Sequence, residues 1–94
     1  MESDSDGWRG FLELCLEAKG PKELDELFWL FLTPEEKEAI KGRYLIVKEL
    51  LKGEKSQREM AKDLGVSIAK ITRGSNFLKM LNKDLRRRLK HLLK

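Results

Sequence analysis

Apolar residues along the chain recur at intervals of three and four, the repeat of an α-helix with one buried face. Trp8, Phe11, Leu12 and Cys15 give a first helix, with Asp4, Ser5 or Asp6 placed to cap its start. Lys19-Gly20-Pro21 ends it, because Gly suits the position after a helix and Pro cannot continue the ladder. A second helix starts near Pro21, with Leu24, Leu27, Phe28 and Phe31 in one stripe and Trp29, Leu30 and Leu32 covering the other sides. A helix that is apolar all round is buried on every side. A chain of 94 residues has little mass to surround it, so the pattern predicts a partner chain.

Thr33-Pro34-Glu35-Glu36 is a helix start: Thr33 caps, Pro34 fits the first helical position and Glu36 completes a capping box. The third helix runs to about Lys52 and Gly53 stops it. Ile40, Tyr44, Val47 and Leu51 share its inner face, widened by Ile46 and Leu50. Gly42 inside this helix costs roughly 1 kcal/mol against Ala and is expected to allow close helix packing. Ser56-Gln57-Arg58-Glu59 is a second capping box and opens a short fourth helix with Met60, Ala61 and Leu64 inward. Gly65 and Val66 follow, and Ser67 caps a fifth helix carrying Ile68, Ile71 and Thr72. The last helix begins near Asn82, with Leu85, Leu89 and Leu92 or Leu93 inward and Arg86, Arg87, Arg88, Lys90 and Lys94 around it. The expected fold is all-α, one domain over residues 1–94, with a helix-turn-helix over about 56–77.

Composition excludes several classes. The longest unbroken apolar run, Leu27 to Leu32, is far too short to span a membrane. The acidic start (Glu2, Asp4, Asp6) does not suit a signal peptide. Cys15 stands alone, which rules out an internal disulfide and a cysteine-based zinc site, and among Leu14, Leu16 and Phe11 it reads as a small core residue. A reducing cytoplasm is the expected setting. His91 is the one histidine, expected to be exposed near the frayed end without a metal cluster. With no Gly-rich phosphate loop and no paired carboxylate beside a base, the chain does not read as an enzyme. Charge is divided along the chain: residues 1–38 carry net −7 and residues 39–94 net +11, against +4 overall. A basic C-terminal portion suits nucleic acid, although solvated Lys-rich helix faces produce the same count.

The segment from Ser56 to Thr72 adds a mechanism. Ala61 is small where two helices cross, and Gly65, four residues on, permits the positive φ of a tight turn. Val66 and Ile71 lock the pair. Two helices so joined let the second enter the major groove while the first lies across the backbone. DNA-contact candidates are Gln57, Arg58, Ser67, Ile68, Ala69, Lys70 and Thr72. Arg58 suits guanine, with two bonds to O6 and N7; Lys70 suits a phosphate.

Leu-Thr-Pro-Glu-Glu (32–36), Gly-Glu-Lys-Ser-Gln-Arg-Glu (53–59) and Ile-Thr-Arg-Gly-Ser-Asn (71–76), the last placed directly after the recognition helix, together with Gly7-Trp8 and Phe11-Leu12, resemble the tryptophan repressor family over roughly residues 8–93. The resemblance implies an intertwined homodimer of six helices per chain whose N-terminal helices build a shared core. It implies operator DNA as partner, no membrane, and L-tryptophan as corepressor. Arg43 and Arg73 would hold the indole between guanidinium planes and help bind the carboxylate. Thr33 would bond the carboxylate, the Leu30 and Leu32 carbonyls would receive the ammonium, and Gly74 would keep room for the ligand. The chemistry suits a flat zwitterion, since Arg stacks and bonds bidentately where Lys cannot.

The sequence departs from the family pattern at Phe77, where a small residue, often Ser, is common. Phe77 has no hydroxyl for the ammonium; its ring either offers a cation–π contact or fills the pocket itself. Tryptophan binding in an altered form is expected. Ala61 replaces a Lys and Lys70 a Thr of a familiar member, so an altered operator is expected too. The other readings are a regulator of the same fold with another effector or none, and a structural helical module that touches no DNA.

Overall fold

The computed structural model describes residues 4–93. Six helices occupy them and no strand is found among the described residues: α1 (Asp4–Leu16), α2 (Pro21–Phe31), α3 (Pro34–Lys52), α4 (Gln57–Leu64), α5 (Ile68–Met80) and α6 (Lys83–Leu92). Glu2 and Lys94 lie outside the described residues. α1 already includes Asp4, Ser5 and Asp6, so none of the three stands ahead of the helix as its cap.

The helix boundaries follow from local chemistry. Pro21 opens α2 behind Gly20, whose φ of 94° is open to glycine and strained for other residues. Thr33 and Glu36 form the reciprocal cap of α3: Thr33 Oγ1 accepts from the Glu36 amide at 3.1 Å, and the Thr33 amide donates to Glu36 Oε1 at 2.8 Å. Asn82 caps α6, its Oδ1 accepting from the amides of Asp84 and Leu85. Such caps satisfy amides that a helix start leaves without partners.

The chain forms two compact units, Met1–Lys37 and Glu38–Lys94. In the first, Phe11 of α1 packs its ring against Phe28 (centroids 6.2 Å apart) and edge-on to Phe31 (5.4 Å), both on α2. Lys37 lays its ammonium 3.8 Å over the Trp29 ring and reaches Asp25 at 3.4 Å. None of the described side chains in this unit is fully buried. Leu30 is 76% exposed, and Trp8, Trp29 and Phe31 are exposed as well. α2 is therefore covered only in part, with Leu24, Leu27 and Phe28 half-buried and Trp29 and Leu30 left outward. Cys15 is half-buried rather than enclosed.

The second unit holds the core. Ile46 of α3, Met60 of α4 and Ile71 of α5 are buried together, with Leu50, Ala61, Leu64 and Val66 packed against them. Ile71 and Met60 keep 0% and 1% of their surface exposed. Two expectations about α3 are corrected. Its inner face centres on Ile46, while Ile40 and Tyr44 are exposed, because α4 and α5 gather on the Ile46–Leu50 side. Nor does Gly42 serve close packing within the chain: a Cβ there would meet nothing within 4 Å. The close approach occurs at Gly74 instead, where a Cβ would lie 3.1 Å from Ile46 Cγ2 and 3.5 Å from Leu50 Cδ1.

On α6, Leu89 and Leu93 are half-buried, Leu85 is marginally exposed and Leu92 faces outward. Arg86 is not a solvated cation. Its Nη2 donates to the Leu78 carbonyl at 2.9 Å, which also accepts from the Leu81 amide at the end of α5. Lys37 and Arg86 both act through contacts that no helical repeat marks.

Ile71 is the tightest side chain of the three-helix cluster. Ile71→Ala should cost about 2–5 kcal/mol, as large-to-small changes at buried sites do. Urea unfolding should show a lower midpoint at unchanged slope.

Candidate nucleic-acid interface

Ser56 caps α4 with its Oγ accepting from the Glu59 amide at 3.1 Å, and Glu59 Oε1 accepts from the Ser56 amide, also at 3.1 Å. α4 ends after eight residues at Gly65, with φ 66° and ψ 36°. This left-handed turn is open to glycine without a Cβ penalty. The Val66 amide closes it on the Ala61 carbonyl. Two residues later Ser67 Oγ accepts from the Lys70 amide at 3.3 Å and starts α5. α4 and α5 share the most extensive helix–helix packing among the described residues, as a helix-turn-helix requires.

α5 runs unbroken from Ile68 to Met80. The Ile-Thr-Arg-Gly-Ser-Asn motif therefore lies inside the recognition helix and not after it. Gly74 is tolerated there because the α3 side chains press against it. The space on its Cβ side, expected to be room for a ligand, is taken by Ile46 and Leu50.

Gln57, Arg58, Ser67, Ile68, Ala69, Lys70 and Thr72 are all exposed. Two of them are tied together: Thr72 Oγ1 donates to Gln57 Oε1 at 3.0 Å. The bond spans the two helices and leaves the Gln57 amide NH2 free to donate outward. Arg58 and Lys70 meet no acidic side chain among the described residues. Both cations are available to an external anion.

Behind this face Lys55 Nζ meets Asp63 Oδ2 at 2.7 Å, fastening the segment before α4 to its last turn. The hydrogen bond, then the charge attraction, holds the Asp63 carboxyl below the usual carboxylate range and raises the Lys55 ammonium. Sequence reasoning missed the pair, which follows no helical spacing.

The corepressor candidates fall in both units. In the first, Leu30 is exposed near the end of α2, Leu32 follows as its half-buried C-cap and Thr33 is exposed. The i+4 neighbour of Leu30 is Pro34, which has no N–H, so the Leu30 carbonyl lacks its usual helical donor. Thr33 accepts in its cap and keeps its own hydroxyl proton to donate. In the second, Arg43 and Arg73 are exposed on α3 and α5. A groove of about 510 Å³ runs along α5, and Arg73, Thr72, Ile68, Ala69 and Phe77 line it. Asn76, the last residue of the 71–76 motif, and Met80, which carried no motif signal, line it too. Arg73 places its guanidinium carbon 5.7 Å from the Phe77 ring centroid.

A helix-turn-helix with this cap, turn and motif set has known relatives. The family model described as Trp repressor protein matches residues 6–93. The chain belongs to this family. A Trp operon repressor homolog of Chlamydia caviae is 48% identical over 92 residues, 98% of this chain and 91% of the relative. The homolog of Chlamydia trachomatis serovar D is 49% identical over 84% of each chain. That of Vibrio vulnificus strain YJ016 is 45% identical over 92% of this chain and 84% of its own. Trp repressors are transcription regulators and not enzymes. A helical module that touches no DNA does not fit a Trp repressor.

Asp63 is held ionised by Lys55, so the pair stabilises the fold above the unfolded-state carboxyl pKa of about 3.9. That contribution is lost as pH falls through the lower folded value, and its alkaline counterpart is lost as pH rises through the raised value of Lys55. Melting curves from neutral pH down to about 2.5 should therefore fall less steeply for Asp63→Asn than for the unaltered chain.

Proposed function

We propose that this Trp repressor family member is a sequence-specific DNA-binding transcriptional repressor with L-tryptophan as corepressor, acting in the cytoplasm on tryptophan-related operators. The observation that carries the reading is the α4–α5 head. It is built on the Met60–Ile71 contact and turned by Gly65, and it presents Arg58 and Lys70 without acidic partners. Residues 1–94 act as one domain, and two chains make the functional unit. The exposed Trp8, Trp29, Leu30 and Phe31 supply the apolar surface that a second chain covers. A dimer sets two heads against successive major grooves, about 34–36 Å apart, the spacing already known for helix-turn-helix dimers, Trp repressor among them.

Arg58 reads a base edge, Lys70 holds a phosphate, and Gln57, Ser67, Ile68, Ala69 and Thr72 complete the contact face. An amino-acid corepressor needs acceptors for its ammonium, a donor for its carboxylate and a flat cation for its ring. The Leu30 and Leu32 carbonyls, the Thr33 hydroxyl and the Arg43 and Arg73 guanidinium groups are of those types. No helix among the described residues is long and apolar enough to cross a membrane.

The test is operator binding with and without L-tryptophan, on a site selected from a random-sequence pool. The corepressor should tighten binding, and affinity should fall steeply with salt as phosphate contacts demand. Arg58→Ala should cost about 1–3 kcal/mol on the selected site and little on random DNA; equal losses on both would make Arg58 a phosphate contact.

A further inference from the structure

We propose that Phe77 is a resident competitor for the corepressor: its ring holds the guanidinium face of Arg73 that an incoming indole would take. The inference rests on the corepressor reading given above and deepens it. The two residues stand four apart on α5, one turn above the other on the same side. Their 5.7 Å separation lies within the reach of a cation–π contact. Both line the same groove on α5. At about 510 Å³ the groove is of the size that takes a small ligand. At the Arg73–Phe77 end of the groove, away from Ile68 and Ala69 at the start of α5, Met80 supplies an apolar wall and Arg73 the one guanidinium to stack on.

Phe77 is a gate and not a plug. Its side chain is 56% exposed and belongs to no buried cluster. The ring can swing aside about its own torsions without opening the core. An exposed cation–π contact is worth about two- to fivefold in an equilibrium constant, and the volume the ring vacates adds to what the ligand must displace. A small side chain in this place would leave the guanidinium bare. The consequence is a raised threshold: this chain answers to L-tryptophan only at concentrations above those that a small residue at position 77 would require.

Titration calorimetry of the full chain with L-tryptophan tests this, using the unaltered protein, Phe77→Ser and Phe77→Ala, with thermal unfolding of each confirming the fold. Both variants should bind about two- to fivefold tighter than the unaltered protein, the worth of the exposed contact they remove. Equal or weaker binding by folded variants overturns the proposal. A second measurement needs no variant: nuclear Overhauser contacts between the Phe77 ring and the Arg73 side chain should be present in the free protein and lost at saturating L-tryptophan. Binding with those contacts intact overturns the competitor role and leaves the corepressor reading standing. No binding by any of the three proteins overturns both.

Discussion

The second unit depends on one buried meeting point, where Ile46, Met60 and Ile71 bring three helices onto each other. Each helix contributes one side chain to it, so its geometry fixes the angle at which α4 and α5 cross. Everything that faces outward from those helices inherits that angle. Gly65 makes the crossing possible from the backbone side, and Gly74 does so from the packing side by letting α3 side chains approach the middle of α5. The two glycines answer different constraints. One supplies a dihedral that other residues adopt at a cost; the other supplies the absence of a methyl group.

Much of this was legible in the sequence because it is local. Both capping boxes, the turn at Gly65 and the buried Met60 and Ile71 follow from residue types at fixed short spacings, and those spacings are set by hydrogen bonds within a single turn. The direction of α3 was less legible. Ile40, Tyr44 and Val47 form as good a stripe as Ile46 and Leu50, and periodicity cannot say which stripe a single chain will cover. The role of Gly74 was misplaced for the same reason, since an absent side chain carries no mark of what it faces.

At the candidate site, exposure of the polar DNA-contact candidates Gln57, Arg58, Ser67, Lys70 and Thr72 was readable from polarity and register, but their ties to each other were not. The Thr72–Gln57 bond joins residues fifteen positions apart, and the Lys55–Asp63 pair joins a loop to a helix end. Such contacts depend on where two elements meet and not on any repeat along one of them. The Arg73–Phe77 contact lay closer to hand. Four residues on one helix is a spacing at which side chains touch, and the ring was visible as a cation–π partner, though for a ligand and not for its neighbour.

The bond from Arg86 to the Leu78 carbonyl has a mechanical meaning. Only Leu81 and Asn82 separate α5 from α6, and the guanidinium fastens the later helix to the end of the earlier one. A rotation of the recognition helix would therefore meet resistance from that bond, which ties the end of α5 to α6 across a connection of only two residues.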